Sequence, residues 1–322
     1  MLVTVGICTW NRAALLREAL GALTRSTLPA QLEWEVLVVD NHSTDATGSV
    51  VAEFRDALPI RCVVEPTPGL SNARNRCVAH ARGSYILWTD DDVIVEPGWL
   101  QEYARAFREF PAASVFGGPV RPRFEGSRPE WLVAAWALVQ SAYGIRNLGD
   151  TVARLSTHRL PFGSNYAVRR AEQLEHRYDP RLGRNRNAVL GGEEVAVLRA
   201  ILRGGGEGWW LPGAPVDHWI PRARQTTRYL ERYYRGQGRV LALHRSGEID
   251  GWKPEPLGRP LWVWRQAIEA EASYRWSRAL HGPERWVGDL IHASTAWGML
   301  VGWAEGGRSA RFVKFPSHPR GR

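Results

Sequence analysis

Four short apolar runs, Leu2 to Cys8, Val36 to Val39, Ile60 to Val64 and Tyr85 to Thr89, recur along the first quarter of the chain. Stretches of helical period separate them: Leu15, Leu16, Ala19 and Leu23 follow the first run, and Leu70 to His80 precede the fourth. Strands that alternate with helices specify a mostly parallel sheet with helices on both faces. The expected fold class is therefore α/β, Rossmann-like, with flanking helices. Three runs end in polar clusters: Thr9-Trp10-Asn11-Arg12, Asp40-Asn41-His42-Ser43-Thr44-Asp45 and Asp90-Asp91-Asp92. In open α/β sheets ligands settle outside the carboxyl ends of the strands, so these clusters mark the expected site.

The acidic cluster carries the most chemistry. Adjacent carboxylates repel unless a cation neutralises them, and hard divalent ions such as Mn²⁺ or Mg²⁺ take oxygen ligands of this kind. The alternative is a solvated acidic turn that caps the helix beginning near Pro97. The chain has neither G-x-G-x-x-G after its first strand nor G-x-x-x-x-G-K-[ST]. A diphosphate must then be held by other means, and a metal on the acidic cluster would serve.

Composition narrows the classes. Hydrophobic residues make up 44% and charged residues 23% of 322, enough to bury a core. The longest run resembling a membrane span, Trp286 to Trp303, carries Asp289 and His292. No basic segment with a cleavage site precedes the first strand, and Cys8, Cys62 and Cys77 fit neither a metal spacing nor a disulfide framework. A cytoplasmic location is expected. The net charge of +9 is carried by arginine, with Lys253 and Lys314 the only lysines. Arginine suits nucleotides, lipid phosphates or an anionic membrane face; a GC-rich genome gives the same bias. Nucleic acid is not expected as a partner, since no nucleic-acid-binding signature accompanies the charge.

Six pieces in order resemble the family-2 glycosyltransferases of the GT-A fold: Cys8 to Arg12, Val38 to Asp45, Gly69-Leu70-Ser71-Asn72-Ala73-Arg74-Asn75, Asp90 to Asp92, Gly163-Ser164-Asn165 and Gly191-Gly192-Glu193-Glu194. The resemblance covers about residues 1–240, the expected catalytic domain, with 241–322 a helical extension rich in Trp and Arg. It implies a metal-dependent, inverting transfer of one sugar from a nucleotide-diphosphate sugar, with UDP as nucleotide, to a hydroxyl of a glycan or lipid-linked acceptor. It further implies that Thr9, Asn11, Arg12, Asp40, Arg74, Asp90, Asp91, Gly163 and Asn165 contact the nucleotide sugar. Thr9 and Asp40 would meet the nucleoside, although Asp40 also suits a helix cap. Asp90 resembles the ribose end of the D-x-D motif and Asp92 the metal end, with the register open by one residue because Asp91 is acidic too.

The same resemblance makes Glu194 the general base, with Glu193 as positioner or fallback. The family usually has Asp at that position, and a carboxylate there would equally favour the helix N-terminus. His218, in Val216-Asp217-His218-Trp219, is a candidate second metal ligand. Gln225-Thr226-Thr227-Arg228-Tyr229 resembles the Gln-x-x-Arg-Trp signature of processive synthases with Tyr for Trp, which makes Arg228 and Tyr229 candidate acceptor contacts of a non-processive enzyme. Pro129 to Tyr143 reads as one core-facing helix. The tryptophans from Trp262 to Trp303 and the basic tail Arg308 to Arg322 suit packing on the catalytic domain, or peripheral contact with an anionic membrane. The rivals are a polyprenyl-phosphate sugar synthase, a non-catalytic sugar-binding subunit, and a sugar nucleotidyltransferase, whose glycine- and arginine-rich first loop is missing here.

Overall fold

The computed structural model describes residues 1–183, 191–246 and 261–309. In chain order the first half runs β1 (Leu2–Thr9), α1 (Ala13–Leu23), β2 (Glu33–Asp40), α2 (Thr47–Glu53), β3 (Ile60–Val64), α3 (Leu70–His80), β4 (Tyr85–Asp90), β5 (Val93–Val95), α4 (Trp99–Glu109), β6 (Ala113–Gly117) and β7 (Val120–Phe124). Then come α5 (Glu130–Ala134), α6 (Trp136–Val139), β8 (Ala153–Arg154), β9 (Asn165–Arg169), α7 (Arg170–Glu175), α8 (Glu193–Arg203), β10 (Glu207–Trp210), β11 (Val216–Ile220), α9 (Thr227–Ser246), α10 (Leu261–Leu280) and α11 (Pro283–Ser309).

The large sheet has the order β3-β2-β1-β4-β9-β6-β10-β8, and a smaller one the order β5-β11-β7. Strands β1 to β4 pair in parallel, with Thr9 beside Asp40 and Cys8 beside Asp90. The order reverses between β1 and β4, and this switch point opens a crevice at the strands' carboxyl ends. The expected α/β class is observed, with one feature the alternation did not announce: β9 runs antiparallel between β4 and β6. It delivers the Gly163-Ser164-Asn165 loop to the same edge. Beneath it, Trp88, Tyr166, Tyr178, Val115 and Leu198 belong to one buried cluster. Gly6 on β1 is needed there, since a Cβ would lie 2.9 Å from Cys77 Sγ and 3.1 Å from the Trp88 ring.

The chain divides into two compact units, Met1–Ser127 with Gln140–Arg222, and Arg128–Val139 with Ala223–Arg322. The expected boundary near 240 falls inside α9, a continuous helix whose main partner is α11 in the second unit. The single helix expected over Pro129 to Tyr143 is instead two short helices and a 3₁₀ turn, ended by Gly144 at φ +73°. Leu132, Ala135 and Val139 are buried as expected. In the second unit, α9 and α11 cross at glycines. A Cβ on Gly298 would meet the Arg235 carbonyl, one on Gly302 would lie 2.7 Å from the Arg239 carbonyl, and one on Gly238 would meet that of Thr295. Among the described residues no helix is long and apolar enough to cross a membrane. Most of the basic tail, residues 310–322, lies outside the described residues.

Candidate active site

The carboxyl ends of β1 and β4 bring Thr9, Arg12, Asp91 and Asp92 into one network. The Thr9 hydroxyl donates to Asp91 Oδ2 at 2.8 Å, and Arg12 Nη1 donates to Asp91 Oδ1 at 2.8 Å and to Asp92 Oδ2 at 3.0 Å. Asp91 and Asp92 are both buried, so the pair needs this cation. Burial pushes the Asp91 carboxyl up to about 6 against the pull of Arg12. Asp90 is the open member of the triplet, its side chain 31% exposed. The expected nucleotide contacts Thr9 and Arg12 are thus partly engaged in organising the acidic cluster.

His218 reaches the cluster from β11. Its Nδ1 donates to the Tyr143 carbonyl at 2.7 Å, and its Nε2 faces Asp92 Oδ1 at 3.4 Å. With the proton on Nδ1, a nitrogen lone pair and a carboxylate oxygen face each other, which is repulsive unless a proton or a cation lies between them. A mixed N/O pair of this kind fits Mn²⁺ or Mg²⁺. Among the described residues no group of three His, Cys, Asp or Glu is arranged to hold a metal, so water and substrate phosphate would complete the ligand shell, as is usual for Mg²⁺.

A second network surrounds Arg74, which is 3% exposed. Its Nη1 donates to Glu193 Oε1 at 2.8 Å, its Nη2 donates to the Gly163 carbonyl at 3.2 Å, and Nη2 lies 3.8 Å from Asp90 Oδ1. The rings of Trp88, Tyr166 and Tyr178 surround the guanidinium at 5.5 to 6.0 Å from its carbon. Burial by itself would lower the Arg74 pKa, but Tyr166, Glu193, Tyr178 and Asp90 overcome it and keep the charge. Expected at the nucleotide, Arg74 is instead enclosed. Ser71 and Asn75 share its helix: the Ser71 hydroxyl donates to the Leu182 carbonyl, and Asn75 exchanges hydrogen bonds with the Tyr178 backbone. Residues 74 and 75 stand one helical turn after 71, so one face of α3 holds Tyr178, Leu182 and Glu193.

Gly192, at φ +96°, opens α8, so Glu193 and Glu194 occupy its first turn. Glu193 is buried against Arg74, whereas Glu194 forms no hydrogen bond or ion pair with a described residue. Its carboxylate lies over Gly163, where an added Cβ would sit 3.5 Å from Glu194 Oε1 and 2.9 Å from Arg74 Nη2. The glycine therefore keeps the space between these two side chains open.

Other expected contacts do different work. Asn11, at φ +52°, braces the first loop against the second: its N–H donates to Ser43 Oγ, and its Oδ1 accepts from the Thr44 N–H at 2.7 Å. Asp40 accepts from the Ser43 N–H and fixes the turn after β2; it does not cap α2, which begins at Thr47 with Asp45 accepting from the Thr47 N–H. Asn165 is fully buried and accepts from Trp99 and Tyr103 while donating to the carbonyls of Pro119 and Ala214. All four bonding positions of its side chain are in use, so it fixes the loop. Arg228 and Tyr229 belong to the second unit.

The sequence profile of glycosyl transferase family 2 matches residues 4–166, half of the chain. The chain belongs to glycosyl transferase family 2. Its similarity to the succinoglycan biosynthesis protein ExoM of Rhizobium meliloti (strain 1021) extends over 258 residues at 28% identity, 78% of each chain. Among solved structures, this glycosyltransferase resembles the mannosyltransferase PcManGT from Pyrobaculum calidifontis in complex with GDP-Man and Mn²⁺. The TM-score is 0.58 at 20% identity, covering 94% of this chain and 87% of that one. TarS 1-349 of S. aureus in complex with UDP-GlcNAc gives 0.51 at 16%, over 97% and 92%. At these identities the structural likeness shows the GT-A fold alone.

Proposed function

We propose that this glycosyltransferase moves one sugar from a nucleotide-diphosphate sugar to a hydroxyl of a glycan or lipid-linked saccharide, with inversion at the anomeric carbon. UDP is the proposed nucleotide, Asp92 and His218 are the proposed ligands of Mn²⁺ or Mg²⁺, and Asp90 is the proposed ribose contact. Relatives involved in succinoglycan biosynthesis, or solved with UDP-GlcNAc or with GDP-Man and Mn²⁺, support the substrate class.

The observation that carries this reading is the division of labour in the acidic pair. Glu193 is tied to Arg74, and a carboxylate so paired is a poor proton acceptor. Glu194 is left open over Gly163. In the proposed step the acceptor oxygen attacks the sugar's C1 while Glu194 takes the hydroxyl proton. The bond from C1 to the diphosphate breaks, and the diphosphate leaves with the electron pair. A single displacement inverts the centre, and Glu194 ends protonated. A divalent cation, when bound, neutralises charge on the leaving diphosphate.

Calorimetric titration with UDP, GDP, TDP and CDP, each with and without Mn²⁺, tests the donor site. UDP is expected to bind tightly only with metal. Asp92→Ala is expected to abolish that binding, while Glu194→Gln keeps it and loses donor turnover. Unchanged turnover in both variants would overturn the mechanism, and absence of metal-dependent binding to any nucleotide would remove the donor site.

A further inference from the structure

Helix α10 carries large apolar residues on two opposite sides; the second unit covers one, and on the other they flank the exposed Arg265–Glu269 pair. Val263 and Ala267 are buried in the cluster formed with Met299, Leu300 and Trp303. On the other side Leu261, Ile268 and Trp276 stand 66%, 58% and 69% exposed, and Leu280 closes the row at 59%. Isolated exposed apolar residues are ordinary, but a row of large ones along a 20-residue helix, about 30 Å at 1.5 Å per residue, calls for a partner.

Helix α9, in the same unit, supplies a second and independent observation. Arg228, Arg232, Arg235 and Arg239 fall at positions i, i+4, i+7 and i+11, on one face, and Glu231 is the sole acid between Thr227 and Ser246. Arg228, Arg232 and Arg235 form no ion pair with a described residue, whereas Arg265 and Arg275 on α10 are each matched by a glutamate four positions away. Among the described residues, then, no acidic side chain neutralises Arg228, Arg232 or Arg235. Beside it Tyr229 stacks on Tyr233 with ring centroids 6.4 Å apart.

A soluble polyanion would use the arginines and leave the α10 row in water. A second copy could cover the apolar row but would leave the arginines uncompensated or set them against each other. An anionic lipid surface uses both, because Trp, Ile and Leu partition into the headgroup boundary while arginines meet lipid phosphate. We propose that the second unit docks on an anionic bilayer, with the exposed α10 face entering the interface and the α9 arginine row supplying the electrostatic attraction. This goes beyond the donor-site reading and stands independently of it.

The test is flotation of the full chain with vesicles of phosphatidylcholine alone and of phosphatidylcholine mixed with phosphatidylglycerol. Binding is expected only to the mixed vesicles and is expected to weaken with added salt. Arg232→Gln with Arg235→Gln should weaken it about 25-fold, at about fivefold per arginine near an anionic surface. Ile268→Glu with Trp276→Glu should abolish it. All four positions are surface sites of helices, and retained Mn²⁺-dependent UDP binding reports that the variants are folded. Should the wild type itself not bind UDP, an unchanged melting curve serves instead, so failure of the donor-site reading is read separately from failure of docking. Absence of flotation, equal flotation of wild type and variants, or a wild-type dimer by light scattering that Ile268→Glu with Trp276→Glu converts to monomer would each overturn the proposal.

Discussion

A carboxylate already engaged by a buried guanidinium cannot also serve as a ready proton acceptor, and this separates Glu193 from Glu194. Glu194→Gln is expected to lower kcat by about 10²- to 10⁴-fold with little change in nucleotide affinity, measured as donor turnover beside calorimetry. Glu193→Gln should instead act on stability. Removing the charge partner of Arg74 costs about 3 kcal/mol, read as a lower unfolding midpoint in denaturant. Gly163→Ala places a methyl 2.9 Å from Arg74 Nη2 and is expected to reduce turnover more than UDP binding, since it intrudes beside Glu194. The acidic pair, the acidic triplet and His218 stood out in the sequence as candidates because few residue types do such chemistry, and the structure sets His218 Nε2 3.4 Å from Asp92 Oδ1. The internal bonds of Asn165 and Arg74 could not be read there, because their partners come from segments up to 119 residues away. Nothing in the local pattern tells a buried brace from a substrate contact.

Among the elements, β3 and α3 have the bounds the periodicity predicts, and β1, β2 and β4 differ by a few terminal residues. The antiparallel β9 and the small sheet of β5, β11 and β7 escaped that reading, since strands of three to five residues pair with partners far along the chain. Buried Glu35 on β2 illustrates how such elements are tied. Burial would raise its pKa, but the Thr4 hydroxyl, the Arg82 N–H and the Arg61 guanidinium together hold it below the usual carboxylate value. A depressed native pKa contributes stability that is present above the unfolded value near 4.5 and is lost as pH falls through the native one. Glu35→Gln is therefore expected to cost about 1 kcal/mol at neutral pH and to flatten the loss of stability below pH 4.5, followed by urea unfolding across that range. On α11, Gly298→Ala should destabilise. The helix-propensity gain of about 1 kcal/mol is outweighed by a Cβ driven into the Arg235 carbonyl, and thermal melting by circular dichroism should show the midpoint fall.

For the whole molecule, the segment that carries the family signature, residues 4–166, is not expected to fold by itself. It ends inside β9, the strand that joins β4 to β6, and it lacks Glu193, Glu194 and His218. A chain ended at Tyr166 is expected to aggregate and to bind no nucleotide; a soluble, UDP-binding product of that truncation would contradict this. The domain boundary was the least legible feature, because composition changes gradually along α9 while the contacts change at Arg222. Arg74 gives the first unit a mechanical property of its own. One side chain grips the start of α8, the carbonyl of the Gly163 loop and, more loosely, the end of β4. A displacement of any one of these three pulls on the other two through a single rigid fork, so they are linked as one body. A lysine at position 74 would preserve the charge and give up the fork, and with it that linkage.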